Sequence, residues 1–138
     1  TLCLIKPHIL QSGQTGKILD KILEEGFEIS SMQTFFLERN EAEGFFELYK
    51  GIHPEYNSMI DQCISGPMIA LEIRQENAVN SFKQICGIMD PIKGRTQNGE
   101  QTTIRAQFGI DRVQNAVHCT DLPDEGTLDC EYFFVLME

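Results

Sequence analysis

The sequence predicts an α+β fold, with one mainly antiparallel sheet covered by helices. Three observations predict it. Short apolar runs of strand length are interspersed with segments of helical period. Their order up to residue 87, β-α-β-α-α-β-α, has too few strictly alternating β-α units for a doubly wound sheet. No internal repeat or low-complexity tract interrupts the pattern. At 138 residues the chain fits one domain, large enough to bury an ordinary core without disulfide or metal staples, so residues 1–138 are expected to form a single unit.

Leu2-Cys3-Leu4-Ile5 reads as a buried strand stopped at Pro7, where a backbone donor is lost, and this leaves Lys6 at a strand end. Ile18, Leu19, Ile22 and Leu23 then recur at helical spacing, with Thr15 as an N-cap and Gly26 as the stop. Residues 27–39 carry Ile29, Met32, Phe35, Phe36 and Leu37 among Ser and Thr, the composition of a long strand with a bulge. Asn40 and Glu43 resemble a capping box for a helix ending near Gly51.

Pro54 opens a second helix, whose Tyr56, Met59, Ile60, Cys63 and Ile64 fit the helical template before Gly66-Pro67 ends it. Residues 68–73 read as a buried strand. Asn77 caps a helix with Ala78, Val79, Phe82 and Ile85 inward, ending at Gly87. Residues 88–103 lack apolar periodicity and are assigned to a long loop, of a length that is usually functional or mobile. Residues 115–120 supply the last core strand, Asp121-Leu122-Pro123 the cap and first turn of a short helix, and residues 133–137 a further strand candidate. The best topology for these elements is a ferredoxin-like split β-α-β sandwich with a four-stranded antiparallel sheet.

Composition narrows the function. Charged residues at 23% and apolar ones at 41% are typical of a soluble globular protein. A net charge of −10 argues against broad binding to nucleic acid or an acidic membrane surface, although a local basic pocket is compatible with a phosphate ligand. Cys3, Cys63, Cys86, Cys119 and Cys130 form no C-x-x-C pair and lie at no zinc-finger spacing, so reduced intracellular thiols and no structural zinc are expected. No apolar run approaches the roughly 20 residues of a spanning helix, and no signal-like core is present. The absence of an initiating methionine fits a piece of a longer protein.

No common phosphate-loop, dinucleotide, zinc-protease or serine-nucleophile motif is present. What remains is a set of phosphate-friendly groups at element ends: Lys6, Arg105, Asn115 and His118. Arg105 offers a bidentate fork, Lys6 a point charge, and His118 a nucleophile or base. On spacing alone the plainer readings carry more weight. Most histidines are surface or satisfied core residues, Lys6 and Arg105 read as solvated cations, and Asn115 as a turn former.

A resemblance changes that balance. Lys6-Pro7, Ser65-Gly66-Pro67, Thr103-Ile104-Arg105-Ala106-Gln107-Phe108 and Asn115-Ala116-Val117-His118-Cys119-Thr120-Asp121 resemble the signature of the nucleoside diphosphate kinase family in order and spacing, over nearly the whole chain. The wording is nearest to the second kinase-like domain of a cilium-associated member, through Gly26-Phe27-Glu28-Ile29-Ser30, Tyr49-Lys50-Gly51 and the run on to Leu122-Pro123.

The resemblance implies that His118 takes the γ-phosphate of a nucleoside triphosphate as a phosphohistidine and passes it to a diphosphate. Lys6 and Arg105 match the phosphate clamps, Asn115 the residue at the sugar and phosphate end, and Thr120 the hydroxyl beside the nucleophile. Asp129 falls where the family has a glutamate that orients the imidazole. Mg2+ would enter with the nucleotide phosphates rather than in a protein cage.

Other positions depart from the pattern. Lys83 replaces an arginine, Met89 a phosphate-binding threonine, and Glu55, next to Tyr56, the phenylalanine that stacks on the base. Met59 matches the other side of that wall, and Tyr49 is a candidate substitute for the tyrosine that supports the lysine. Two functions therefore stand side by side, an active phosphotransferase and a degenerate kinase-like module acting in cilia or on microtubules. Cytoplasmic and ciliary placements, and a homo-oligomer or a module of a longer chain, are all compatible with the resemblance. Cys119 is read as a small core residue without a function.

Overall fold

The computed structural model describes residues 1–97, 99 and 101–137. Strand β1 (Leu2–Ile5) is buried throughout. It runs directly into helix α1 (Pro7–Ser12), with Lys6 at the N-cap and Pro7 in the first turn, where its missing N–H costs nothing. Helix α2 (Thr15–Glu24) buries Ile18 and Ile22. Strand β2 (Glu28–Phe35) follows, and helix α3 (Arg39–Phe45) carries a reciprocal capping box between Glu38 and Glu41. A 3-10 turn (Glu47–Tyr49) leads to helix α4 (Tyr56–Cys63), then strand β3 (Met68–Arg74) and helix α5 (Ala78–Cys86). Helices α6 (Pro91–Thr96) and α7 (Ile104–Phe108) precede strand β4 (Val117–Cys119). A 3-10 turn (Pro123–Glu125), helix α8 (Gly126–Glu131) and a π-helical turn (Tyr132–Leu136) complete the described elements.

The four strands form one antiparallel sheet in the order β2-β3-β1-β4, the ferredoxin-like arrangement expected. Because strand side chains alternate, β1 feeds two cores. Leu2 and Leu4 join Phe35, Phe46, Met59 and Phe133 on one face, while Cys3 and Ile5 join Ile18, Ile22, Phe82 and Ile104 on the other. His118 pairs with Leu4, so it projects on the same face as Leu4. No helix among the described residues is long and apolar enough to cross a membrane.

Several local expectations are corrected. The proline after β1 opens a helix as well as ending a strand. The long strand stops at Phe35, although its bulge is present between Ile29 and Ser31. The capping box lies two residues before Asn40, and the helix it starts ends at Phe45 rather than near Gly51. The N-cap of α2 is Gln14, and α4 begins two residues after Pro54. The supposed loop at 88–103 contains α6, capped by the Asp90 side chain, with Pro91 in its first turn. The C-terminal strand candidate is helical. Tyr132–Leu136 continues α8 and drives Phe133 into the core against Phe35 and Phe45.

Candidate functional site

The tight turn before β4 sets the site. Ala116 adopts φ +78, a left-handed conformation that alanine rarely takes. Its N–H is satisfied by the buried His8, whose Nε2 accepts at 2.9 Å. Burial, and then the nearby Lys6 charge, push the His8 pKa down to about 4, so it stays neutral and able to accept.

Lys6, at the junction of β1 and α1, is buried and reaches across to this turn. Its Nζ donates to Asn115 Oδ1 at 2.7 Å and to the Val113 carbonyl at 3.0 Å. Desolvation lowers its pKa to about 8. Asn115 is itself fixed, because its Nδ2 donates to the carbonyls of Met89 (3.1 Å) and Arg112 (3.2 Å). Arg105, in α7, spans from α5 to β4. Its Nη1 donates to the Gly87 carbonyl at 2.8 Å, and its Nε and Nη2 donate to the Val117 carbonyl at 3.3 and 3.1 Å. Lysine and arginine are thus positioned by backbone.

His118 lies between these cations and an aromatic shell. Its ring meets Phe46, Phe45 and Tyr49 edge-on at centroid separations of 5.0, 5.7 and 6.0 Å. Desolvation, reinforced by Lys6 and Arg105, holds its pKa well below the ordinary histidine value. The imidazole is therefore neutral at pH 7, with a nitrogen lone pair available to a phosphorus atom.

A cavity of about 390 Å³ opens over this cluster. Of the residues singled out from sequence, Lys6, Met59, Lys83, Met89, Arg105, Asn115 and His118 line it, as does Tyr49. Lys83 Nζ donates to the Asp121 carbonyl at 3.1 Å, and the Tyr49 hydroxyl donates to the Asp121 carboxylate. Four others lie outside its lining. Tyr56 packs into the core beside Met59, and Glu55 is paired with Arg112, whose Nε donates to Glu55 Oε1 at 3.0 Å. Thr120 Oγ1 donates to Asp129 Oδ2 at 2.9 Å and accepts from the Leu2 N–H at 3.4 Å. Burial raises the Asp129 pKa above the usual aspartate value.

The cavity also recruits residues that sequence reasoning passed over: His53, Gln84, Ile88, Arg112 and Asp121. His53 and Arg112 sit in irregular segments where no periodicity marks a buried or facing position. For Asp121, the readable signal was its place as the last residue of the histidine box. Among the described residues, no group of three or more His, Cys, Asp or Glu side chains is placed to hold a metal ion.

Comparison with known proteins gives a consistent result. The family model described as nucleoside diphosphate kinase matches residues 1–138. The chain is 47% identical over its full length to nucleoside diphosphate kinase homolog 7 of Rattus norvegicus, of which it covers 34%. It thus spans about a third of the length of that relative. It is 35% identical over its full length to the nucleoside diphosphate kinase of Lawsonia intracellularis, covering 96% of that protein. The crystal structure of the Aquifex aeolicus nucleoside diphosphate kinase superposes with a TM-score of 0.90 at 30% identity, over 99% of this chain and 95% of the other.

Proposed function

This chain belongs to the nucleoside diphosphate kinase family, and we propose that it transfers the γ-phosphate of a nucleoside triphosphate to a nucleoside diphosphate through a phosphohistidine on His118. The observation that carries the proposal is a neutral imidazole facing a cavity that the buried Lys6 and the half-buried Arg105 also line. A histidine held unprotonated beside Lys6 and Arg105 has little other chemistry as well suited to it.

In the first half-reaction the His118 lone pair attacks the γ-phosphorus. The N–P bond forms, the bond to the β-γ bridging oxygen breaks, and the nucleoside diphosphate leaves with that electron pair. In the second half-reaction an oxygen of an acceptor diphosphate attacks the same phosphorus and restores the imidazole. Such transfer asks mainly for position and for positive charge near the migrating oxygens, each well-placed donor being worth about 10²-fold or more in rate. Lys6 and Arg105 supply that charge from backbone-anchored positions, Lys83 adds an exposed one, and Asn115 joins the lysine to the sugar and phosphate end. Thr120 and Asp129 act from behind the cavity, as a pair that fixes the strand after the nucleophile.

Magnesium fits this site as an ion carried in on the nucleotide, because Asp121 is already engaged by Tyr49 and Lys83 and, among the described residues, no carboxylate cluster competes for it. When bound, it neutralises phosphate charge. We read residues 1–138 as one kinase domain, cytoplasmic or ciliary, able to stand within a longer protein or in a homo-oligomer.

Incubation with radiolabelled ATP and magnesium should place acid-labile phosphate on the wild-type chain and none on His118→Ala. Equal labelling of the two would refute the mechanism. A second reading, a degenerate module with a structural or interaction role in cilia or on microtubules, is favoured by the core orientation of Tyr56 and by the methionine at position 89. Full rescue of a ciliary defect by His118→Ala would support it. Failure by a well-folded, correctly localised variant would count against it.

A further inference from the structure

We propose that Arg112 is the platform on which the nucleobase lies, with Glu55 clamping the edge of its guanidinium. This rests on the reading that the cavity takes nucleotides. Once the phosphates sit on Lys6, Arg105 and His118, what remains of the ligand is a sugar and a flat, weakly polar base. A base is held by an apolar or delocalised face. Tyr56, in the position where an aromatic wall was sought, is packed into the core.

Arg112 meets the requirement. Its Nε lies 3.0 Å from Glu55 Oε1 and its Nη2 lies 3.9 Å from Met89 Sδ. Both contacts engage the edge of the guanidinium, so its face is left to stack, and the side chain is 40% exposed while lining the cavity. The segment beneath is stiff, because Asp111 Oδ1 accepts from the N–H groups of Val113 (2.9 Å) and Gln114 (2.7 Å). The Arg112 carbonyl accepts from Asn115 Nδ2, and Asn115 Oδ1 accepts from Lys6 Nζ. The platform is thus built onto the network that fixes the phosphate end. His53 and Met59, both buried, line the same cavity from the segment at and before α4.

The plainer reading, a solvated Arg–Glu pair, accounts for the 3.0 Å contact but not for a guanidinium that lines the cavity from a residue whose backbone carbonyl accepts from the asparagine that holds the lysine. Stacking on a guanidinium is tolerant of base identity, yet it scales with overlap, so purines gain more than pyrimidines.

Calorimetric titration of the full chain with MgADP, MgUDP and inorganic tripolyphosphate tests the assignment. Arg112→Ala should weaken MgADP binding about tenfold and MgUDP less, while leaving tripolyphosphate unchanged. Arg112→Lys, which keeps the charge and loses the plane, should resemble the alanine variant. Unaltered MgADP binding by Arg112→Ala overturns the platform alone. Equal losses for ADP and tripolyphosphate, or full retention by lysine, overturn it in favour of a simple charge. A wild-type chain that binds tripolyphosphate and no nucleotide overturns both the platform and the reading beneath it.

Discussion

At the floor of the cavity, Lys6, Asn115 and Arg105 are tied to the backbone carbonyls of Val113, Met89, Gly87 and Val117. At its mouth, Lys83 and Arg112 make side-chain ion pairs, with Asp121 and with Glu55 just outside the lining, and remain 42% and 40% exposed. Replacing a floor residue leaves buried partners without hydrogen bonds, whereas a mouth residue gives way to water at little cost. The departures from the family pattern at Lys83 and Glu55 fall in the second group. Exposure and type of anchor therefore separate the residues proposed to hold the phosphate from those free to change with the ligand.

The largest effect is expected where the floor loses its charge. Lys6→Met should slow phosphorylation of His118 by about 10²-fold or more, read by rapid-quench labelling. The wild-type pH profile sharpens the point. With the Lys6 pKa lowered to about 8, kcat/KM should fall as pH rises through that value, since the ammonium is the useful form. No acid limb should appear near pH 6.5, because His118 titrates well below it. The lysine's own share of stability moves the other way. The folded chain gives up its proton at about 8 and the unfolded chain at 10.5, so for this group the unfolded state binds more protons between them and its contribution rises with pH. Cys3, Cys63, Cys86 and Cys130, whose thiols burial pushes up, act in the opposite direction, so the lysine's share is read as the stability of wild type relative to Lys6→Met, which should rise from pH 8 to 10 in urea denaturation.

The mouth should answer more mildly. Lys83→Ala removes a cation whose protein contacts among the described residues include the Asp121 carbonyl at 3.1 Å and the Asp121 carboxylate at 4.0 Å. Initial-rate kinetics should show KM raised by about tenfold or less, with kcat changed little, as suits a charge that bids for ground state and transition state alike. A loss as deep as that of Lys6→Met would break the distinction between floor and mouth.

What the sequence made readable follows the same division. Strands β2 and β3, together with α2, α4 and α5, are long enough for their patterns to speak, whereas β1 and β4, which carry Lys6 at an end and His118 within, are legible only as short buried runs. The short helices α1 and α6 carry too few apolar residues for a period, so Pro7 read as the stop of a strand and Asp90 as part of a loop, although each opens a helix. Tyr132–Leu136 is an apolar run whose alternation and helical readings coincide over five residues, and packing of Phe133 against Phe35 and Phe45 decides it. Glu55 read as a lost stacking wall because its partner Arg112 is 57 residues away and only the fold pairs them.

The smallest expected effect tests whether the turn at Ala116 positions the nucleophile or merely tolerates strain. A left-handed alanine costs about 1–2 kcal/mol, which glycine would relieve. Against that, Ala116→Gly removes a fully buried methyl worth about 0.8 kcal/mol and loosens the unfolded chain by about 0.4–1 kcal/mol. These nearly cancel, so urea denaturation should place the variant within about 1 kcal/mol of wild type. The rate should not cancel in the same way. Ala116 hangs between the Lys6 N–H, which donates to its carbonyl at 2.9 Å, and His8, which accepts from its own N–H at the same distance. Freeing the turn two residues before His118 widens the range of imidazole positions, and about 0.5 kcal/mol lost at the transition state is roughly a twofold slower phosphorylation. An unchanged rate with unchanged stability would mean that His118 is placed by its pairing with Leu4 on β1 and its three aromatic neighbours, and that the turn contributes only the Asn115 amide to the floor.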